Sequence, residues 1–329
     1  MTNLKDVGIA GTGMYVPERV VKNSWFEEFL DTSDEWIVQR TGIDERRYAA
    51  DDETTATMCV AAARQACENA SLDPADLDAI LIGTLTPDYP LPSTACLVQS
   101  ELGAKNAMAM DLAAACSGFI YGTHLGRALI SSGSAKNVLV LGAETLSRVI
   151  DFSDRGSCIL FGDGAGAAIL QPHADCGQGR IVRSELGADG SGFDNIIIPG
   201  GGSKRPQSAE VLESHAQFIH LKGREVFRFA VSTMGTLIER MIEGIPREQV
   251  SLVVPHQVNK RIIDAAVERI DLPLDRVAVN IERYANTSAA TVPIALHEAV
   301  AQGRIEKGKY VVTVAFGAGM TWGASLIEW

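Results

Sequence analysis

Six cysteines, Cys59, Cys67, Cys96, Cys116, Cys158 and Cys176, are scattered along the 329 residues without a C-x-x-C pair, and the six histidines form no H-E-x-x-H or similar cluster. This spacing offers no structural zinc site, so no metal is expected and any cysteine chemistry must come from a thiol. Cys116 has the context for it: in MDLAAACSGFIYGTHLG it follows a short apolar run and small residues and precedes a helical pattern. A strand-turn-helix placement lifts a nucleophile onto a helix N-terminus, whose N–H groups and dipole are predicted to hold the thiol pKa below about 8.5. The competing reading is a buried structural cysteine in a reducing compartment.

Two polar residues lie in comparable places. His256 ends the run LVVP in VVPHQVNKR, and Asn286 in ERYANTSAATV roughly mirrors Cys116 in the second half of the chain. At strand ends, such side chains can donate hydrogen bonds to a developing oxyanion or enolate. Taken singly, a helix cap explains Asn286 and a satisfied loop histidine explains His256.

A repeated architecture would bring the three together. Apolar runs at 79–83, 107–110 and 138–142 read as buried strands, with helical patterns at 93–102 and 118–131 and a further strand at 165–170. The second half repeats the order with a strand at 252–255, a helix at 259–270, a strand at 277–281, a helix at 288–301 and strands at 310–316 and 324–328. Asp78-Ala79-Ile80-Leu81 aligns with Ser251-Leu252-Val253-Val254, and Val138-Leu139-Val140-Leu141 with Val311-Val312-Thr313-Val314. Both offsets are 173 (251 − 78 and 311 − 138). Two related α/β halves with mainly parallel sheets are predicted, residues 1–175 and 176–329, dividing within 173–179. The segment 84–92 follows a strand end and is a pocket candidate, while 184–214 reads as an irregular functional or interface loop.

Other classes fail. GIAGTGMYVP has Gly11 and Gly13 but Val16 in the third position of a dinucleotide fingerprint, and no G-x-x-x-x-G-K-S/T loop is present. GDGAG at 162–166 leads into a strand and suits a tight turn. Hydrophobic residues at 46% and charged residues at 21% describe a soluble folded chain rather than a disordered one. The net charge of -12 disfavours non-specific binding to nucleic acid or an anionic membrane but leaves a local basic patch open. Without a signal-like start or a long apolar run, a cytoplasmic protein is expected.

The segments TSDEWIVQRTGI, DLAAACSGF, DRGS followed by FGDGAGAA, GREVFRFAV, VPHQVNKRI, NTSAATVPIAL and FGAGMTWG stand in this order along essentially the whole chain. The set resembles β-ketoacyl-acyl carrier protein synthase III, of the thiolase-like superfamily. The resemblance implies a duplicated α/β fold with mixed, largely parallel sheets in five α-β-α-β-α layers, and a homodimer. It implies a ping-pong decarboxylative condensation without a cofactor, in which an acyl-CoA substrate acylates Cys116 and malonyl-acyl carrier protein then supplies the enolate. His256 and Asn286 would be the decarboxylation pair, and the N–H groups of Cys116 and Ala318 the oxyanion hole.

By the same resemblance, Trp36 and Arg155 would sandwich the adenine of CoA, Asn259 would meet its pantetheine arm, and Gly223 would leave room for that arm. Lys222, Arg224, Arg228, Lys260 and Arg261 would face an acidic carrier protein. Leu91 would gate the acyl pocket from across the dimer interface and, being smaller than Phe, hints at branched or longer primers. Ala318, Met320 and Ala285 depart from the family pattern, which commonly has Gly, an aromatic and Gly there. Ala318 suits its role only with a negative or mildly strained φ. A relative in secondary metabolism with the same Cys-His-Asn set is the nearest rival; a degenerate CoA-binding scaffold would form no covalent adduct.

Overall fold

Uninterrupted apolar runs mark strands covered on both faces, and the central strands of the two main sheets of the computed structural model, which describes residues 4–329, are built from them. Residues 1–3, where the segment read for a targeting signal begins, lie outside the described residues. The first sheet contains β1 (Val7–Tyr15), β2 (Ala79–Gly83), β3 (Met108–Leu112), β4 (Val138–Glu144) and β5 (Gly164–Pro172). Its order is β1-β5-β4-β2-β3, with β2 parallel to β3 and β4, and β5 antiparallel to β4 and β1. The second contains β6 (Arg180–Ala188), β7 (Val250–Pro255), β8 (Tyr310–Gly317) and β9 (Thr321–Glu328), in the order β7-β8-β9-β6. Only β7 and β8 are parallel. The sheets are therefore mixed rather than mainly parallel, because β5 and β9 turn back beside the preceding strand without a helical crossover.

The duplication extends to register. Ala79 stands opposite Val138 in the first sheet and Leu252 opposite Val311 in the second, so both members of each pair are displaced by the 173 residues seen in the sequence.

Among the described residues, seven helices of eight residues or more complete the layers: α1 (Asp34–Thr41), α2 (Thr55–Asn69), α3 (Thr94–Leu102), α4 (Gly118–Ser131), α5 (Gly223–Met241), α6 (Lys260–Ile270) and α7 (Thr291–Ala301). Phe119, Ile120 and Ile130 of α4 and Val292 and Leu296 of α7 form one core with residues of both sheets, which places these helices between them. Helices α2 and α3 cover the outer face of the first sheet, and α5 and α6 that of the second. The result is the five-layered α-β-α-β-α arrangement.

Three elements differ from the sequence reading. The run at 107–110, read as a buried strand, becomes β3, an edge strand with no buried residue, on which Met108 and Met110 are exposed. Residues 277–281 form no strand: Val277 makes a single parallel bridge to Val253, and the Asn280 N–H is then drawn to Gln257 Oε1 at 3.1 Å. Ile281 starts a short helix, Ile281–Tyr284, packed with Ile43. The segment read as irregular from 184 begins inside β6, a sheet-edge strand on β9. Only Ile181 of β6 is buried, so no apolar alternation marks it in the sequence.

Candidate active site

Cys116 lies in the 3-10 turn Ala115–Ser117, just ahead of α4, and lines a cavity of about 360 Å³ together with His256, Asn286 and Ala318. Ala115 (φ 46) and Ser288 (φ 50) are in the left-handed region, and they too are 173 residues apart, each opening a turn into a central helix. By this symmetry the mate of Cys116 is Ala289, and Asn286 lies three residues before it. Gly317 at the end of β8 closes the site from the second half: a Cβ there would stand 2.7 Å from the Cys116 nitrogen, so only glycine permits the approach.

The lowered Cys116 pKa expected from the helix terminus is reversed. Burial pushes the thiol up to about 12, and the neighbouring Ser288 side chain opposes this only in part. The helix starts two residues beyond the sulfur, at Gly118, and desolvation of a thiolate among apolar walls outweighs it. Cys116 therefore rests as a thiol.

His256 is completely buried, its N–H bonded to Val314 O at 2.8 Å and its ring edge-on to Phe316. Burial pushes its pKa down to about 3, which keeps the imidazole neutral. Nδ1 stands 2.7 Å from Thr291 Oγ1, while Nε2 is buried without a partner among the described residues. The Thr291 hydroxyl also reaches Ser288 O at 2.9 Å, so its single proton is shared between that carbonyl and Nδ1. When Thr291 donates to Nδ1, the ring proton sits on Nε2.

Asn286 is held by both halves. Its N–H donates to Leu160 O at 3.0 Å, its carbonyl accepts from Gly162 N at 3.1 Å, and its Oδ1 accepts the Ser288 N–H at 2.8 Å. With Oδ1 engaged, the amide Nδ2 is the group left to donate. Ala318 is absent from the residues with positive φ, which fall instead on Gly319 (φ 71) and Met320 (φ 47), so the condition set for its backbone is met. Ala285 does adopt φ 56, a region that favours the glycine it replaces.

The cavity also reaches Trp36, Arg155, Gly223 and Asn259. The Arg155 guanidinium lies 4.9 Å from the Trp36 ring centroid. A base between two planes needs about 7 Å, twice a van der Waals separation, so the slot expected to hold adenine is closed by Arg155 itself. Asn259 is an N-cap: Oδ1 accepts the Arg261 N–H at 2.9 Å and Nδ2 donates to Arg40 O at 3.0 Å. Leu91 is 86% exposed and does not line the cavity of its own chain. Of the five basic candidates, Lys222, Arg228 and Lys260 are engaged by Asp194, Glu225 and Asp264. Arg224 and Arg261 have no ion pair among the described residues, and Arg261 reaches the cavity.

Sequence reasoning missed Arg40, Glu144, Ser288 and Thr291. Arg40 was accessible from its i+4 spacing to Trp36, over which it stacks at 5.3 Å. Ser288 and Thr291 lie within NTSAAT, but nothing local marks their roles. Among the described residues no group of three or more His, Cys, Asp or Glu could hold a metal, and no helix is long and apolar enough to cross a membrane.

A duplicated α/β fold with a half-buried cysteine at one strand-helix turn, and a neutral histidine and an asparagine from the other half beside it, is the architecture of thiolase-like condensing enzymes. Two family descriptions match: 3-oxoacyl-(acyl-carrier-protein) synthase III over residues 110–190 and its C-terminal part over 242–329. The β-ketoacyl-(acyl-carrier-protein) synthase III of Caldanaerobacter subterraneus subsp. tengcongensis is 48% identical over 98% of this chain and 97% of its own. The crystal structure of 3-oxoacyl-(acyl-carrier-protein) synthase III from Aquifex aeolicus VF5 matches with a TM-score of 0.89 and 45% identity, covering 98% of this chain and 100% of that one. The priming β-ketosynthase of the R1128 polyketide pathway matches at 0.91 and 35%, covering 100% and 98%. The chain belongs to the β-ketoacyl-(acyl-carrier-protein) synthase III family.

Proposed function

We propose that the chain condenses an acyl-CoA primer with malonyl-acyl carrier protein, with loss of carbon dioxide, through an acyl thioester on Cys116. The observation that carries this reading is the shared cavity of Cys116, His256 and Asn286, with His256 held neutral and its Nε2 unpartnered. In the first stage the sulfur attacks the CoA thioester, the N–H groups of Cys116 and Ala318 receive the oxyanion, and CoA leaves. In the second, malonyl-acyl carrier protein loses carbon dioxide. Its enolate oxygen accepts hydrogen bonds from His256 Nε2 and Asn286 Nδ2, and its carbon attacks the acyl-enzyme carbonyl. A neutral histidine suits this task, since it donates without first having to acquire a proton from solvent.

For CoA, Arg155 must lift from Trp36 to admit the base, and Arg40, Arg155 and Arg261 gather positive charge at the cavity of an acidic chain. Asn259 meets the pantetheine arm while capping α6, and Gly223 leaves the arm its space. Arg224 and Arg261 are the leading contacts for the carrier protein, with Lys222, Arg228 and Lys260 at its margin. The protein works as a cytoplasmic homodimer whose Leu91 reaches the partner's acyl pocket; the exposure of Leu91 supports this. Residues 1–175 and 176–329 form its two halves. A priming role in polyketide assembly is the second reading, favoured by the R1128 likeness.

Intact-mass spectrometry after exposure to acetyl-, isobutyryl- and octanoyl-CoA tests the nucleophile and the primer together. An acyl increment that disappears in Cys116→Ala is expected. Acylation without condensation onto malonyl-acyl carrier protein for any primer would overturn the proposal.

A further inference from the structure

At the carboxyl end of β4 lies a completely buried carboxylate, Glu144, which takes no part in the steps above. It is surrounded by donors: Thr84 Oγ1 at 3.2 Å, Leu85 N at 3.0 Å, Thr86 N at 3.1 Å and Thr86 Oγ1 at 2.6 Å. Its other oxygen, Oε1, accepts from Ser288 Oγ at 3.0 Å. No cation pairs with it among the described residues. The titratable groups that bear on it are two thiols, Cys116 from the turn before α4 and Cys59 on α2. Burial pushes the carboxyl up to about 7 despite the donors.

Ser288 touches the other end of the line as well. It lines the cavity with Cys116 and its hydroxyl bears on the thiol, and its backbone is tied by the N–H bond to Asn286 Oδ1. A hydroxyl has one proton. With that proton directed to Glu144 at 3.0 Å, the lone pairs of Ser288 are left to accept from the thiol that shares its cavity, which sets S–H, O–H and carboxylate in series. We propose that Ser288 and Glu144 are the relay that removes the Cys116 proton during acylation and returns it when condensation frees the sulfur.

On acylation the S–H bond breaks and its proton passes to Ser288 Oγ as the proton of Ser288 passes to Glu144 Oε1. The sulfur lone pair forms the new C–S bond, the bond to CoA breaks, and the CoA thiolate takes a proton from water. Glu144 stays protonated while Cys116 carries the acyl group. On condensation the enolate carbon forms the C–C bond, the Cys116 Sγ–C bond breaks, and the two protons move back. One solvent proton is consumed per cycle, balancing the carboxylate lost as carbon dioxide. His256, held down to about 3, is a much weaker resting base than Glu144 at about 7. Ser288 is a catalytic residue in this scheme; Glu144 acts through it as a positioning residue.

The inference rests on Cys116 being the acyl acceptor, and its test separates the two. Single-turnover acylation, followed by acid quench and intact mass, is measured from about pH 5.5 to 9 for the wild type, Glu144→Gln and Ser288→Ala. The wild-type rate should climb about tenfold per pH unit and level off near 7, as Glu144 ionises. Both variants should acylate at least about tenfold more slowly at the plateau and lose the inflection. A purely structural role would lower the melting temperature and leave the inflection in place. A flat wild-type profile across this range, or an inflection retained in Ser288→Ala, would overturn the relay. If Glu144→Gln does not fold, the wild type and Ser288→Ala decide. A wild type that forms no adduct on Cys116 would instead overturn the reading of the nucleophile.

Discussion

His256 offers a thermodynamic test that does not depend on turnover. Its side chain is completely buried and its pKa falls from the ordinary 6.5 to about 3 in the fold. The unfolded chain therefore binds a proton below about 6.5 that the folded chain refuses until about 3, so stability rises with pH across this window. The contribution of neutral His256 is complete above about 6.5, shrinks as pH falls, and is gone below about 3. A difference of 3.5 units corresponds to about 5 kcal/mol in full, and at pH 5 about 1.5 units, or about 2 kcal/mol, are already lost. An unfolding entropy of about 2.1 cal/mol/K per residue gives about 0.7 kcal/mol/K for this chain, so 2 kcal/mol is about 3 °C. The assay compares melting temperatures at about pH 7.5 and 5 for the wild type and His256→Gln. Carboxylates and the remaining histidines titrate in both proteins and cancel in the difference. The wild type should lose about 3 °C more than the variant on acidification. Equal losses would mean that His256 titrates normally, and would remove the ground for a neutral imidazole at the site.

Thr291→Val removes the hydroxyl 2.7 Å from His256 Nδ1 and should slow condensation by about 100-fold while sparing Cys116 acylation; Thr291→Ser should restore it. Equal loss of both half-reactions would refute the tautomer argument. Gly317→Ala places a methyl 2.7 Å from the Cys116 nitrogen, and intact-mass kinetics should show acylation about 100-fold slower; an unchanged rate would mean the strand end moves freely. Arg224→Glu and Arg261→Glu should each raise KM for malonyl-acyl carrier protein by about tenfold at low salt, with the effect shrinking as salt is added. Lys222→Ala should matter less, because Asp194 already holds that ammonium at 2.7 Å.

The sequence by itself determined the layered, duplicated core. Runs such as Ala79–Gly83 and Val138–Glu144 are buried along their whole length, and continuous apolar runs report that both faces are covered. It also determined the placement of Cys116 between β3 and α4, of Asn259 before α6, and the offset of 173 that reappears in register and in the φ values of Ala115 and Ser288. Edge and broken strands were not legible: β6 buries one residue in nine, and Val277 makes one bridge before Gln257 draws the chain away. Electrostatics was decided only by the tertiary structure. A dipole argument from neighbours in sequence lowered the Cys116 pKa, whereas desolvation by remote segments raises it. The contact of Arg155 with Trp36 and the bond from Ser288 to Glu144, 144 residues away, have no local signature at all. Periodicity records whether a face is covered; which charge, hydroxyl or thiol meets it from elsewhere depends on how the two halves dock.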